Sequence, residues 1–196
     1  MAIDFRKTAF IGVAAELGQC PAIGLPEIVL SGRSNVGKSS LINTLADNRH
    51  LAKTSSTPGK TRLVVYFRID NRLLLTDLPG YGYAAGSLQK RAAFSSLADR
   101  YLNSGRPLAL ILHLLDIRHD PSAEDRQMLA WLLANGIPWQ IVLTKADKLT
   151  RVQILQRQQE IAAALGLEDP AALLVFSATS RQGVDQLRRR LLACLA

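Results

Sequence analysis

The sequence predicts an α/β fold: a three-layer, doubly wound, mostly parallel sheet with one antiparallel edge strand. Three observations carry that expectation. Short apolar strands alternate with helical stretches along the chain. The run Leu108 to Leu115 is almost continuously apolar, as strands buried on both faces are. A glycine-containing turn, Gly32 to Ser39, joins the first strong strand pattern to the first helix pattern. At 196 residues and 48% hydrophobic content, the chain can bury one core without disulfides.

Each element follows in order from local signals. Glu27 to Leu30 reads as a short buried strand, and Lys38 to Ala46 as the helix after the turn. Asp47 to Lys60 is polar, contains Pro58-Gly59, and reads as a long loop. Arg62 to Ile69 and Arg72 to Thr76 flank the turn pair Asp70-Asn71, so they predict an antiparallel hairpin. Helices are expected from Ser87 to Asn103 and from Ala123 to Asn135, the latter stopped by Gly136 with Pro138 beyond. Trp139 to Leu143 is a strand, Arg151 to Leu165 a helix, Leu173 to Phe176 a strand, and Val184 to Leu195 an amphipathic helix. Residues 25–196 are read as a single domain, with 1–24 an extension packed on it. Within that extension Arg6 and Lys7 precede the apolar run Thr8 to Ala15, which mimics a short signal peptide. Asp4 and Glu16 argue against export. No run approaches the ~20 apolar residues of a membrane span, so no membrane insertion is expected.

The charge balance narrows the partner. Lys and Arg number 24 against 16 Asp and Glu, a net charge of +8, which suits a polyanion such as nucleic acid. Part of the surplus is local. Lys53 to Arg72 holds five basic residues against Asp70, and Arg181 to Ala196 holds four against Asp185. Cys20 and Cys194 form no metal or redox spacing, which fits a reduced, cytoplasmic location.

The chemistry is concentrated in four ordered motifs. Gly32-Arg33-Ser34-Asn35-Val36-Gly37-Lys38-Ser39 fits GxxxxGK[ST]. Its glycines let backbone N–H groups wrap a phosphate at a helix N-terminus. Lys38 can reach the terminal phosphates, and the Ser39 hydroxyl can bind Mg2+. Asp77-Leu78-Pro79-Gly80 fits DxxG: Asp77 can hold Mg2+ through water, and the Gly80 N–H can sense a γ-phosphate. Thr144-Lys145-Ala146-Asp147 fits [NT]KxD. The Asp147 carboxylate can accept from guanine N1–H and its exocyclic amine, which adenine lacks. Lys145 can lie along the base plane, and Phe176-Ser177-Ala178 can offer N–H groups to the guanine carbonyl. Between the first two motifs, Thr61 is a candidate Mg2+ ligand in the GTP state, with Thr54 and Thr57 as competitors. Loops of this kind order around a γ-phosphate and relax after hydrolysis.

These residues resemble the EngB (YihA/YsxC) family of bacterial ribosome-biogenesis GTP-binding proteins, within the P-loop GTPases related to TrmE, Era, EngA and septins. The resemblance runs from about residue 5 to 195. It is carried by Leu25 to Asn43, Thr54 to Thr61, Asp77-Leu78-Pro79-Gly80-Tyr81-Gly82-Tyr83-Ala84, Asp116-Ile117-Arg118-His119, Leu143 to Lys148 and Gln182-Gly183-Val184. It implies a P-loop GTPase with the Ras-like G-domain fold, a monomeric, cytoplasmic protein that binds GTP and GDP. It further implies action in assembly of the large ribosomal subunit, with its rRNA as partner, and a need for the protein in normal septation. By that pattern Ser39 and Thr61 are the Mg2+ ligands, and Gly59, Lys60, Thr61, Arg62 and Leu63 join the nucleotide contacts. Phe94 departs from the pattern, where Trp is expected.

The hydrolytic machinery reads as incomplete. Lys38, Thr61 and Gly80 are the candidate catalytic groups, yet Tyr81 stands where related switches carry a water-orienting Gln. Neither Arg33 nor Arg62 reads as an arginine finger, so slow hydrolysis accelerated from outside is expected. Asn35 makes a K+ ion near the phosphates a candidate positive element. Other conspicuous residues read as structural: His113 as a satisfied core histidine, and Leu129, Leu132 and Leu133 as one apolar helix face. Arg188-Arg189-Arg190 is a solvated run with RNA contact as the alternative. Two rival functions are a P-loop metabolic kinase, which has no need of TKxD, and a GTP-dependent interaction protein at the division site. The second leaves the basic surplus unexplained.

Overall fold

A computed structural model of the chain describes residues 3–53, 63–81 and 97–195. Among these residues the sheet has seven strands: β1 (Thr8–Ala14), β2 (Glu27–Gly32), β3 (Val64–Ile69), β4 (Leu73–Asp77), β5 (Leu108–Asp116), β6 (Trp139–Thr144) and β7 (Leu173–Val175). The helices are α1 (Lys38–Ala46), α2 (97–102), α3 (Ala123–Ala134), α4 (Arg151–Ala164) and α5 (Val184–Leu192). The strand order is β1-β3-β4-β2-β5-β6-β7. From β4 to β7 all neighbours are parallel, while β3 runs antiparallel to both β4 and β1.

The expected doubly wound fold is present. Successive residues of β2 point to opposite faces, so Ile28 and Leu30 join one core cluster and Val29 another. Leu41, Ile42 and Leu45 of α1 and Val184, Leu187 and Leu191 of α5 cover the first face. Leu97 and Tyr101 of α2, Leu132 of α3 and Ile161 of α4 belong to the clusters on the other.

The first strand is the element that hydrophobic patterning does not reveal. Residues 8–14 form an edge strand, so the antiparallel strand β3 lies one position in from the edge. Phe10 is 54% and Val13 48% exposed, and the pairing shifts register between Phe10 and Gly12. Backbone pairing to β3, more than burial, holds this strand. An alternation test has little to detect there.

Two helix expectations need adjustment. Of the predicted Ser87–Asn103 helix, residues 97–102 are helical, while 87–96, Phe94 included, lie outside the described residues. Leu129 and Leu132 are buried, but Leu133 is 59% exposed, a correction to the three-residue apolar face. At 100° per residue Leu133 falls past the rim of the buried stripe.

Some polar residues have structural work. Asn43 of α1 donates to the Arg49 and Ala52 carbonyls at 3.0 and 2.9 Å and accepts the Ala52 N–H at 2.7 Å, folding the chain after α1 back on the helix. Arg188 donates to the Leu45 carbonyl at 2.9 Å and lies over the Phe5 ring, so it ties α5 to α1. The remaining arginines of that run, Arg189 and Arg190, are exposed and half-buried. Among the described residues no helix is long and apolar enough to cross a membrane.

Candidate functional site

The motifs converge at the carboxyl ends of the parallel strands. Gly32 ends β2, Asp77 ends β4, Asp116 ends β5, Thr144 ends β6, and residues 176–178 follow β7. The connection after β2 leads to α1 on one face, and that after β5 leads to α3 on the other. Such a reversal opens a ligand crevice at the strand ends.

The phosphate loop is shaped by close backbone approach. Gly32 has φ 143°, and a Cβ there would stand 2.7 Å from the Leu114 carbonyl oxygen, so only glycine fits. Asn35 and Gly37 also have positive φ, 61° and 113°. The Val36 N–H closes a turn on the Arg33 carbonyl at 3.2 Å. Gly37 caps α1 without a side chain to accept its first N–H groups. That leaves the helix N-terminus chemically suited to an anion.

Lys38 and Asp77 face each other beside this loop. Lys38 Nζ lies 3.8 Å from Asp77 Oδ1, and both side chains are nearly buried. Burial raises the Asp77 carboxyl above its ordinary pKa, and Lys38 opposes that rise. Among the described residues Asp77 Oδ1 has no hydrogen-bond partner. A buried carboxylate oxygen without a donor is costly. A hydrated divalent cation would satisfy it, and the Ser39 hydroxyl at the head of α1 is an oxygen donor of the kind Mg2+ takes. The residues present therefore fit Mg2+. Thr61 and its competitors Thr54 and Thr57 lie outside the described residues, as do Gly59, Lys60 and Arg62; Leu63 is half-buried.

The DxxG segment lies hard against the phosphate loop. Leu78 and Pro79 are buried, and the Leu78 N–H donates to the Leu30 carbonyl at 3.1 Å. A Cβ on Gly80 would stand 2.8 Å from the Ser34 nitrogen. The Ser34 N–H donates to the Tyr81 carbonyl at 3.0 Å, and the Ser34 hydroxyl to the Gly80 carbonyl at 3.3 Å.

The TKxD segment is braced from three directions. The Thr144 hydroxyl lies 2.7 Å from the Val36 carbonyl and 3.0 Å from that of Leu115, so this side chain supports the phosphate loop. Lys145 Nζ donates to the Asn35 carbonyl at 2.8 Å and pairs with Asp116 at 2.9 Å. Ser177 donates to Asp147 Oδ1 at 2.7 Å, and Lys148 lies 3.1 Å from the other oxygen. The Ser177 hydroxyl, with Lys148 behind it, holds the Asp147 carboxyl below its ordinary pKa. The Ala146 N–H donates to the Phe176 carbonyl at 3.2 Å, while the Phe176 ring sits in the core. Ala178 is half-buried beside this brace.

Asp116 is a supporting residue whose role the motif reading did not identify. Burial opposes its ionisation, but hydrogen bonds from Arg118 and Lys145 hold its carboxyl well below the usual range. Its place directly opposite Thr144, on the paired strand, is the signal that links it to TKxD. Asp116→Ala is expected to release Lys145 and weaken GDP binding about tenfold, roughly the worth of one charged hydrogen bond. Calorimetric titration with GDP checks this; an affinity within twofold of the parent removes the role. A cavity of about 240 Å³ adjoins this region, lined among others by Arg33, Asn35, Tyr81, Arg118 and Lys145.

Residues 27–145 match the family model described as 50S ribosome-binding GTPase. The chain is 44% identical over 191 residues to a probable GTP-binding protein EngB of Syntrophomonas wolfei subsp. wolfei, covering 97% of this chain and 98% of that one. It is 42% identical to a probable GTP-binding protein EngB of Desulfosudis oleivorans, covering 92% and 91%. Among solved structures it resembles a probable GTP-binding protein engB with TM-score 0.70 and 19% identity, covering 86% of this chain and 98% of that one. It also resembles Era of Aquifex aeolicus bound to GDP and AlF4−, with TM-score 0.69 and 21% identity, covering 88% and 57%. At those identities the structural matches speak for the fold.

Proposed function

Because the chain belongs to the EngB family of GTP-binding proteins, and is a GTP-hydrolysing enzyme as that family is, we propose that it serves as a GTP-dependent switch in assembly of the large ribosomal subunit. The observation that carries the nucleotide half is the meeting of Lys38, Asp77 and the Asp147–Ser177 pair at one end of the sheet. The ribosomal half is supported by the description of the matching family and by the basic surplus of +8. Residues 25–196 form the G domain in this reading, with 1–24 packed on it. The protein acts as a cytoplasmic monomer, and its loss impairs septation.

The proposed mechanism assigns work to each group. Backbone N–H groups of Gly32 through Ser39 and the N-terminus of α1 hold the phosphates. Lys38 neutralises charge on the transferring group. Ser39 and Thr61 would hold Mg2+ directly and Asp77 through water, and the ion would supply further charge neutralisation on the phosphate oxygens. Gly80 offers its N–H to the γ-phosphate. Thr144, Lys145, Ala146 and Asp147 seat the guanine, and Phe176, Ser177 and Ala178 close its far edge. The Tyr81 hydroxyl is engaged by Asp125. It is therefore not free to orient an attacking water, which supports slow intrinsic hydrolysis. A partner, or a K+ ion near Asn35, would supply the missing positive element.

Two measurements test this reading. GTP is expected to bind with a large preference over ATP, and equal affinities reject the guanine assignment. With a non-hydrolysable GTP analogue the protein is expected to co-sediment with large subunits at low salt. Raising salt from 50 to 200 mM should weaken that binding about tenfold or more, since phosphate contacts release counterions. Absence from the large-subunit fractions at low salt rejects the ribosomal assignment.

A further inference from the structure

Next to the phosphate loop lies a buried polar chain, of which the proposed hydrolysis draws only on the engagement of the Tyr81 hydroxyl. His113, in β5, is 1% exposed and Asp125, in α3, is 2% exposed. Ser31 Oγ lies 2.8 Å from His113 Nδ1, and Asp125 Oδ1 lies 3.1 Å from His113 Nε2. The Tyr81 hydroxyl donates to that same Asp125 oxygen, and it lies 3.3 Å from His113 Nε2. The Tyr81 and His113 rings stack with centroids 6.2 Å apart and an interplanar angle of 10°. The other Asp125 oxygen accepts the Ser122 N–H at 2.7 Å in the capping box of α3. The carboxylate that grips Tyr81 is thus itself fixed by a helix cap and a strand.

The segment gripped in this way presents two carbonyl groups to the phosphate loop. The Tyr81 carbonyl takes the Ser34 N–H, and the Gly80 carbonyl takes the Ser34 hydroxyl. Both are acceptors, and a γ-phosphate is an acceptor too. The phosphate would compete for the same Ser34 donors and be repelled by the two carbonyl oxygens. A segment that released Ser34 would free both Ser34 donors and take the two carbonyl oxygens away from the phosphate loop.

We propose that Tyr81, anchored by Asp125 and His113, holds the DxxG segment in an arrangement that disfavours the γ-phosphate, and so sets the protein's preference between GDP and GTP. Tyr81, His113 and Asp125 are positioning residues in this account, acting through Gly80 and Ser34. The proposal rests on the GTPase reading above and adds the determinant of diphosphate against triphosphate preference. A weaker anchor shifts the balance toward the released state, and the ligand that needs that state gains affinity.

The test is the ratio of two dissociation constants at fixed Mg2+, one for GDP and one for a non-hydrolysable GTP analogue. Tyr81→Phe keeps the ring and its stacking but removes the hydroxyl. GDP affinity is expected to stay within twofold of the parent. Affinity for the GTP analogue is expected to rise about five- to twentyfold, part of the worth of a hydrogen bond to a charged group. An unchanged ratio, a ratio shifted toward GDP, or an equal loss of both affinities overturns the anchor, because a merely structural role moves both ligands together. Should Tyr81→Phe fail to fold, Asp125→Asn reads the same ratio, with the same direction expected and the same results overturning it. A parent protein that binds neither nucleotide overturns the GTPase reading, and the anchor with it.

Discussion

Replacing Asp147 with Asn should lower GTP affinity at least a hundredfold and raise affinity for xanthosine triphosphate. Guanine presents two donors on this edge, N1–H and the exocyclic amine. A carboxylate accepts from both. The amide of Asn accepts one and sets its own N–H groups against the amine, leaving donors facing donors in a dry site. Two charge-assisted hydrogen bonds at about 1.5–3 kcal/mol each predict a loss of roughly two to four orders of magnitude. Xanthine carries a carbonyl where guanine carries the amine, so the Asn amide matches it. Ser177 can still donate to the remaining oxygen, since its bond goes to Asp147 Oδ1 alone. Titration of the variant with both triphosphates checks the exchange. Retained GTP affinity would remove Asp147 from the base site.

That prediction draws on residues legible in the sequence, and the reason is physical. Phosphate and base recognition demand particular residue types at short, fixed spacing. The phosphate-loop and TKxD segments therefore announce themselves in the chain, and the α/β alternation around them predicts the sheet. What supports them is long-range. Asp116 reaches Lys145 only because β5 and β6 pair in the observed register. His113 reaches Ser31 because β2 and β5 pair those two residues. Each reads as an isolated residue until the sheet is assembled. Asp125 had a local signal, since Ser122-x-x-Asp125 is a capping box, but its grip on Tyr81 spans 44 positions. The edge strand β1 escaped for a different reason: its apolar run carries no alternation between a buried and an exposed face, so it resembles a signal peptide more than a half-buried strand.

Removing the charge of Glu27 should destabilise the fold while leaving the nucleotide site intact. Glu27 is fully buried at the amino end of β2, opposite the phosphate loop. Its carboxylate accepts from Arg106 Nε at 2.8 Å, from the Thr76 hydroxyl at 2.6 Å and from the Tyr101 hydroxyl. Arg106 also donates to the Pro21 carbonyl at 2.8 Å and lies over the Tyr101 ring, its centroid 5.1 Å away. One side chain therefore joins β2, β4, α2 and the chain before β5. Burying such a pair costs desolvation of both partners, so the intact pair is not itself a large source of stability. Breaking it is another matter, because Arg106 keeps its charge, with a side chain only 16% exposed, and loses its partner. Glu27→Gln is expected to cost about 3 kcal/mol, at the lower end for a broken buried pair because the amide still accepts one hydrogen bond. For a chain of this size that lowers the thermal midpoint by roughly 6–12 °C. The double change Glu27→Gln with Arg106→Met should recover part of the loss, since it removes the stranded charge as well. GDP affinity measured well below the midpoint should match the parent, because no atom of this cluster belongs to the phosphate or base motifs. A midpoint within about 2 °C of the parent, under 1 kcal/mol on the same scale, would mean that Arg106 finds water or another acceptor. In that case the carboxylate is not what pins α2 to the sheet.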